Sequence, residues 1–193
     1  MGMPQTETRW TAELVRALPD DGKRYELVSG ELVVTPAPAP LHQSILAALY
    51  DRLSPYLQRT GAGRIRWSPA DLAFGEDEIL QPDLFVVPAR LPRQIRRWTD
   101  ITSLLLAVEV LSPSTARYDR IVKRRRYQRA GVPEYWIVDP DARVIERWRP
   151  SDERPEMASE LLEWQPVADS SPLLLDLPAL FAEAWEEQVG GTP

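Results

Sequence analysis

The sequence predicts an α/β protein with a central mixed β-sheet flanked by helices. Three observations carry this expectation. Short apolar runs of strand length recur between turn residues. Two longer stretches, 41–59 and 116–130, show helical spacing instead. The order along the chain is helix, several strands, helix, strands, with no internal repeat and no evident boundary. The 193 residues suit one well-cored domain, with loose tails at 1–9 and 189–193.

Trp10–Leu18 reads as a short helix, with Thr11 near its start and Pro19-Asp-Asp-Gly22 ending it. Tyr25–Val28 and Glu31–Thr35 flank Ser29-Gly30, a two-residue hairpin signal. Pro36–Pro40 is an extended connector. Ile45, Leu46, Leu49, Leu53, Tyr56 and Leu57 then fall on one helical face, with Gly61 as C-terminal cap and Pro55 expected to end or kink the last turn. Strands are predicted at 63–68, 71–75, 79–88 and 104–111. Ser112-Pro-Ser-Thr115 is a turn placed to cap a helix over Ala116–Ala130, which Gly131-Val-Pro133 closes. Glu134–Asp139 and Arg143–Trp148 form a hairpin around Pro140-Asp141-Ala142. A strand near 159–164 and a helix near 178–188 complete the chain.

Composition narrows the chemistry. With 44% hydrophobic and 27% charged residues, the chain is of ordinary soluble globular type. No run of 18 apolar residues and no basic-then-apolar leader pattern is present, so no membrane partner is expected. The absence of cysteine excludes disulfides and thiolate chemistry, and fits a cytoplasmic location. A single histidine, His42, excludes multi-histidine zinc sites, so a metal would need oxygen ligands and be a hard ion such as Mg²⁺ or Mn²⁺. The net charge of −6 is unevenly placed: residues 151–193 hold ten acids against Arg154 alone, so the remainder is net basic. Arginines cluster at Arg90, Arg93, Arg96 and Arg97 and again over Arg117–Arg129, which suits a phosphate-bearing partner.

Two acids interrupt apolar runs: Asp83 in Ile79-Leu-Gln-Pro-Asp-Leu-Phe-Val-Val87, and Glu109 in Leu104-Leu-Leu-Ala-Val-Glu-Val-Leu111. Acids are rarely buried without compensation, and a divalent cation is an effective compensation for two that face each other. On alternating strands, Asp83 shares a face with Gln81 and Phe85, and Glu109 with Ala107 and Leu111. If the strands pair, at about 4.8 Å, both carboxylates reach one ion. The competing reading leaves each acid at a strand end, solvated or bound to an arginine.

Lys123 stands out because 21 of the 23 basic residues are arginine. A compact ammonium in Arg120-Ile-Val-Lys-Arg-Arg-Arg126 suggests a place where guanidinium does not substitute. Asp119, Lys123 and Tyr127 fall on one helical face. A solvated basic helix is the plain alternative. His42 and Gln43 open the long helix and are accessory candidates, although a lone histidine is more often a cap or surface residue. Glu26 and Glu31 alternate with apolar neighbours as exposed strand positions do, and either is a candidate third acid. The Trp and Tyr residues read as core and interface rather than base-stacking platforms.

Pro82-Asp83, then a strand-borne Glu109 followed by a basic residue, resembles the PD-(D/E)XK nuclease superfamily. Val108-Glu-Val-Leu-Ser-Pro-Ser-Thr115 with Asp119, Lys123, Tyr127 and Gly131–Asp139 is more specific. Together with Tyr25–Glu31 and Thr35–His42, it resembles the Uma-two restriction endonuclease family over about residues 20–165. The resemblance implies a restriction-endonuclease-like core and metal-dependent hydrolysis of phosphodiester bonds. Asp83 and Glu109 match the two motif acids. The usual lysine two residues after the glutamate is Leu111 here, so Lys123 would be its migrated replacement.

The expected function is a Mg²⁺- or Mn²⁺-dependent DNA endonuclease. Asp83, Glu109 and Lys123 would be catalytic, with the two acids holding the metal. Glu31, His42, Gln43, Gln81, Asp119 and Tyr127 are possible accessory residues, and Arg117, Arg120, Arg124, Arg125 and Arg126 would contact DNA phosphates. A homodimer is the natural arrangement for hydrolysing both duplex strands. The alternative is a non-catalytic nucleic-acid-binding or protein-interaction module on the same fold. A two-carboxylate glycosidase suits the basic clusters less well.

Overall fold

The computed structural model describes residues 10–19, 21, 23–28, 30–35, 37–75, 78–90 and 96–189. Gly22, Ser29, Pro36 and Arg93 lie outside them, as do the expected tail at 1–9 and residues 190–193 of the tail expected at 189–193, whose first residue ends the last helix. The described elements are α1 (Ala12–Arg16), β1 (Arg24–Val28), β2 (Glu31–Thr35), α2 (Pro40–Thr60), β3 (Gly63–Trp67), β4 (Leu72–Gly75), β5 (Glu78–Leu80), β6 (Leu84–Pro88) and β7 (Leu106–Val110). After β7 the helical region runs through α3 (Ala116–Tyr118), a π turn (Asp119–Lys123) and α4 (Arg124–Arg129). β8 (Tyr135–Asp139), β9 (Val144–Trp148), β10 (Glu156–Ala158), β11 (Leu161–Trp164), β12 (Leu173–Asp176) and α5 (Leu177–Val189) follow.

The central sheet has six strands in the order β10-β9-β8-β7-β6-β3. It is mixed: β7 and β8 run parallel, while the other neighbours are antiparallel. A four-stranded sheet, β2-β1-β5-β4, and the β11–β12 hairpin complete the β structure of the described residues. Strand alternation explains the layers. Leu84 and Val86 of β6, with Leu106 and Val108 of β7, face Ile45, Leu49 and Leu53 of α2 and Phe181 of α5. Phe85, Val87 and Ala107 face the other way, toward Tyr127 of α4 and Leu72 and Leu80 of the smaller sheet. Each fully buried leucine or phenylalanine in these layers contributes about 1.5–3 kcal/mol relative to an exposed one.

Local chemistry explains the element ends. Thr11 caps α1 by accepting the Leu14 N–H. Pro40 begins α2, where its missing N–H costs nothing. Gly61 ends it in the left-handed conformation at φ 64°, donating to the Leu57 carbonyl. Of the two outcomes expected at Pro55, an end or a kink, it does not end α2, which continues to Thr60. Asp51, whose carbonyl lacks its usual helical donor, is exposed, so water can satisfy that carbonyl. Thr115 occupies the N-cap position of α3 without making a side-chain cap bond to the helix; its hydroxyl instead accepts the Ser112 N–H.

Other boundaries differ from the sequence reading. The run 79–88 is two strands in two sheets, β5 and β6, broken at Gln81-Pro82-Asp83. Proline lacks the N–H that would continue a ladder. Asp83 is therefore not on a strand face shared with Gln81 and Phe85. The strand expected near 159–164 is β11, while β10 before it and β12 after it are additional strands. The helix over 116–130 contains a π turn where a continuous α-helix is expected.

Candidate active site

Pro82 and Asp83 fill the gap between the two sheets, and this gap places the Asp83 carboxylate at the centre of the candidate site. The β6–β7 pairing ends at Leu84↔Val108. One residue further along each strand stand Asp83 and Glu109. Asp83 Oδ2 accepts the Val110 N–H at 2.8 Å, which fixes the acid against β7. Its Oδ1 lies 2.5 Å from Arg24 Nη1, and Oδ2 lies 2.9 Å from His42 Nε2. Burial would raise the Asp83 carboxyl, but the His42 hydrogen bond and the Arg24 and Lys123 charges reverse this and hold it well below the usual range.

Glu109 lies on the face of β7 that looks toward α4, as alternation with Ala107 and Leu111 requires. The π turn brings Lys123 to it. Lys123 Nζ lies 2.9 Å from Glu109 Oε1, 3.0 Å from Glu26 Oε2 and 3.6 Å from Asp119 Oδ1. The lysine is only 3% exposed, so the ammonium is surrounded by carboxylates rather than water. Single π turns inside helices are frequent at functional sites, and this one carries both Asp119 and Lys123 inward. Tyr127, one turn later, donates its hydroxyl to Glu109 Oε1 at 3.3 Å.

The electrostatics follow from burial. Desolvation alone would lower Lys123, but Glu109, Glu26, Asp119 and Asp83 together hold it well above its ordinary value. Burial pushes Glu109 well up, opposed by Lys123 and reinforced by the neighbouring acids. Burial likewise raises Asp119 to about 6, against the pull of Lys123 and a Thr115 hydrogen bond. Four carboxyl groups, Asp83, Glu109, Glu26 and Asp119, share two permanent cations, Lys123 and Arg24, so acidic groups are in excess there.

Arg24, His42, Asp83, Glu109, Asp119 and Lys123 all line one cavity of about 320 Å³. Among the described residues, no group of three or more His, Asp or Glu side chains stands in metal-holding geometry. Side-chain nitrogens occupy the carboxylates instead: Arg24 and His42 on Asp83, Lys123 on Glu26 and Glu109. The donor set nonetheless fits a hard divalent ion. The acids outnumber the permanent cations, and the buried Asp119 Oδ1 has no hydrogen-bond partner.

The remaining sequence candidates fall in different places. Glu31 is exposed on β2 and does not line the cavity; Glu26, on the opposed strand β1, is the first-hairpin acid that reaches the site, through its ion pair with Lys123 behind the cavity wall. Strand β1 lies between β2 and β5, its Leu27 clusters with Val15 of α1 and its Val28 with Phe85 and Val87 of β6, so Glu26 is buried where an exposed strand position is expected. The Gln81 side chain turns away to Tyr25 O and Asp71, while its backbone N–H donates to Glu26 Oε1 at 2.7 Å. Gln43 lines a neighbouring cavity with Trp67. Sequence reasoning did not single out Arg24; a single arginine at the start of a strand carries no periodic or spacing signal.

The helix arginines are unequal. Arg120 is paired with Asp139 and Glu146. Arg124 lies 4.5 Å over the Trp148 ring and donates to Gln128. Arg126 is paired with Glu78. These three hold the helix onto the sheets, whereas Arg117, Arg125 and Arg129 are exposed, as are Arg90, Arg96 and Arg97. Trp136 is core, but Trp67 is 55% exposed, an exception to the core reading of the aromatics.

The structure is similar to a crystal structure from Anabaena variabilis described as "a putative nuclease belonging to DUF820". The TM-score is 0.76 at 21% identity, covering 90% of this chain and 98% of that one, so the two share a fold. No curated protein matches the sequence. The family model described as "Putative restriction endonuclease" (Uma2) matches residues 12–185, nearly the whole length of the chain, and the protein belongs to that family.

Proposed function

We propose that this protein is a Mg²⁺- or Mn²⁺-dependent endonuclease that hydrolyses phosphodiester bonds of DNA, of the PD-(D/E)XK type with its lysine carried on the helix after the second acid. One observation carries the reading: Lys123, 3% exposed, is held between Glu109 and Glu26 in the cavity that Asp83 also lines. A buried lysine among acids is costly as a mere structural device, and such perturbed groups cluster at functional sites. Family membership and the shared fold of a protein described as a nuclease support the same reading.

Asp83 and Glu109 are the residues that would hold the ion, with Glu26 and Asp119 as neighbouring oxygen donors. When bound there, the ion would polarise the scissile phosphate and lower the pKa of the attacking water. Lys123, kept protonated by its carboxylates, acts as a hydrogen-bond and charge donor to the phosphate oxygens as negative charge develops. Tyr127 positions Glu109, and the Val110 N–H positions Asp83. Exposed Arg117, Arg125 and Arg129 are suited to backbone phosphates.

The test is a cleavage assay with duplex, single-stranded and branched DNA in Mg²⁺, Mn²⁺ and EDTA, using wild type, Asp83→Asn and Glu109→Gln. Metal-dependent cleavage lost in both variants is expected. Absence of wild-type cleavage across the panel, or full activity in either variant, would sink the proposal. One observation favours a non-catalytic DNA-binding module instead: Arg24, His42 and the Val110 N–H already engage both Asp83 oxygens. On that reading DNA binds and no metal raises the melting temperature.

A further inference from the structure

We propose that the cavity between α2 and β3 holds an unpaired nucleobase of a single-stranded DNA segment, whose backbone runs from the acidic pocket toward β3. The proposal rests on the endonuclease reading and names its substrate form. The cavity, of about 280 Å³, is lined by Arg24, Gln43, Tyr50, Asp51, Trp67 and Asp83, among others. Arg24 and Asp83 also line the acidic pocket, so the two cavities adjoin. Tyr50 and Trp67 also line a third cavity of about 240 Å³, whose wall includes Arg64 and Arg66. The path therefore passes from the carboxylates, past two aromatic rings, to a basic strand. Proteins that hold single strands combine these same parts: a cationic track for the backbone and aromatic rings on which bases stack.

Trp67 is the central element. It is 55% exposed, and its ring meets Tyr50 edge to face at 5.3 Å with an interplanar angle of 86°. A lone exposed apolar side chain needs no explanation. This ring, however, is braced by a second aromatic and opens onto a cavity contiguous with the candidate site. The backbone also fixes its distance from that site: Trp67 pairs with Leu84, next to Asp83, and the Ser68 N–H donates to the Asp83 carbonyl at 3.2 Å. The Gln43 amide and Asp51 carboxylate in the same wall offer donors and acceptors to the edge of a base, and the Asp51 charge disfavours a phosphate there. Bases in a duplex are stacked and paired, so only an unpaired one presents both its face and its edge.

The test measures binding rather than cleavage. Full-length protein in EDTA is titrated into fluorescently labelled single-stranded and duplex oligonucleotides of one sequence, read by anisotropy. Wild type should favour the single strand. Trp67→Ala should weaken single-strand binding about 5- to 150-fold, the range for losing one stacked base, and leave duplex binding within about twofold. Trp67→Phe should retain most of the affinity, and Trp98→Ala, at an exposed tryptophan outside these cavities, should match wild type. Because Trp67 is exposed, its variants should melt like wild type. No single-strand binding by wild type, no effect of Trp67→Ala, or equal loss for both DNA forms would overturn the proposal. The outcome is independent of hydrolysis: a Trp67-dependent preference in a protein that never cleaves leaves this subsite standing and removes the nuclease.

Discussion

Arg24 Nη1 lies 2.5 Å from Asp83 Oδ1, although the two residues are 59 positions apart in the chain. The contact joins the first strand of the small sheet to the break between β5 and β6. Asp83 is consequently an acid with its compensation already in place, and the first consequences concern stability rather than activity.

Asp83→Ala should destabilise the metal-free protein by about 3–5 kcal/mol, because it strands the half-buried Arg24 charge. Mutual repulsion with Glu109 alone would argue for a more stable variant, but Arg24, His42 and the Val110 N–H all engage the Asp83 oxygens, and the Asp83 pKa is held low by these partners. Since the folded pKa is depressed, the contribution is present above the unfolded value and is lost as pH falls through the folded one. Chemical denaturation of wild type and variant at pH 7 and in strong acid measures it; equal stability at pH 7 would refute the pairing argument.

Asp119 has the opposite sign. Its pKa is raised to about 6, so its contribution is full below the unfolded value and disappears as pH rises through about 6. Metal-free Asp119→Asn should therefore gain on wild type between pH 4 and pH 7, on the order of 3 kcal/mol across that interval. Parallel stability–pH curves for the two proteins would contradict it.

Divalent ions should raise the melting temperature of wild type through preferential binding to the folded state. Glu109→Ala and Asp83→Ala should abolish the rise. Thermal melts with Mn²⁺ against EDTA decide this, and an identical Mn²⁺ response in all three proteins would place the ion elsewhere.

Lys123→Ala should remove about 10²–10⁴-fold of cleavage rate while DNA affinity persists. Lys123→Arg should fail as well, because a larger planar guanidinium must fit a site that is 3% exposed and bounded by three carboxylates. Arg125→Lys is the matched control, since Arg125 is exposed whereas Arg124 is stacked on Trp148. Single-turnover rates make the comparison; an active Lys123→Arg enzyme would reduce Lys123 to one basic residue among many.

The arginines of the same helix should separate by role. Arg117→Ala and Arg125→Ala should each flatten the slope of log affinity against log salt by about 0.9 per lost phosphate contact, with stability unchanged. Arg120→Ala should instead lower the melting temperature, because it breaks pairs with Asp139 and Glu146. A salt-independent DNA affinity in wild type would argue against phosphate contacts altogether.

The sequence by itself determined the fold class and many of the elements, because apolar periodicity is a local property: α2, the hairpins β1–β2 and β8–β9, β7 and α5 lie close to where periodicity and turn residues place them. It also marked Asp83, Glu109 and Lys123, since an acid inside an apolar run and a lysine among arginines are visible without coordinates. Only the tertiary structure decided their surroundings. Glu26 looks exposed from its alternation, but a strand covered on both sides buries either phase of the pattern. Arg24 has no signal until the gap at Gln81-Pro82-Asp83 brings a distant acid to it. The helix arginines, alike in sequence, divide into structural and exposed sets according to which acids lie opposite, on β5, β8 and β9. Charge partners are chosen across long separations in the chain, and no local pattern encodes which charge will face which.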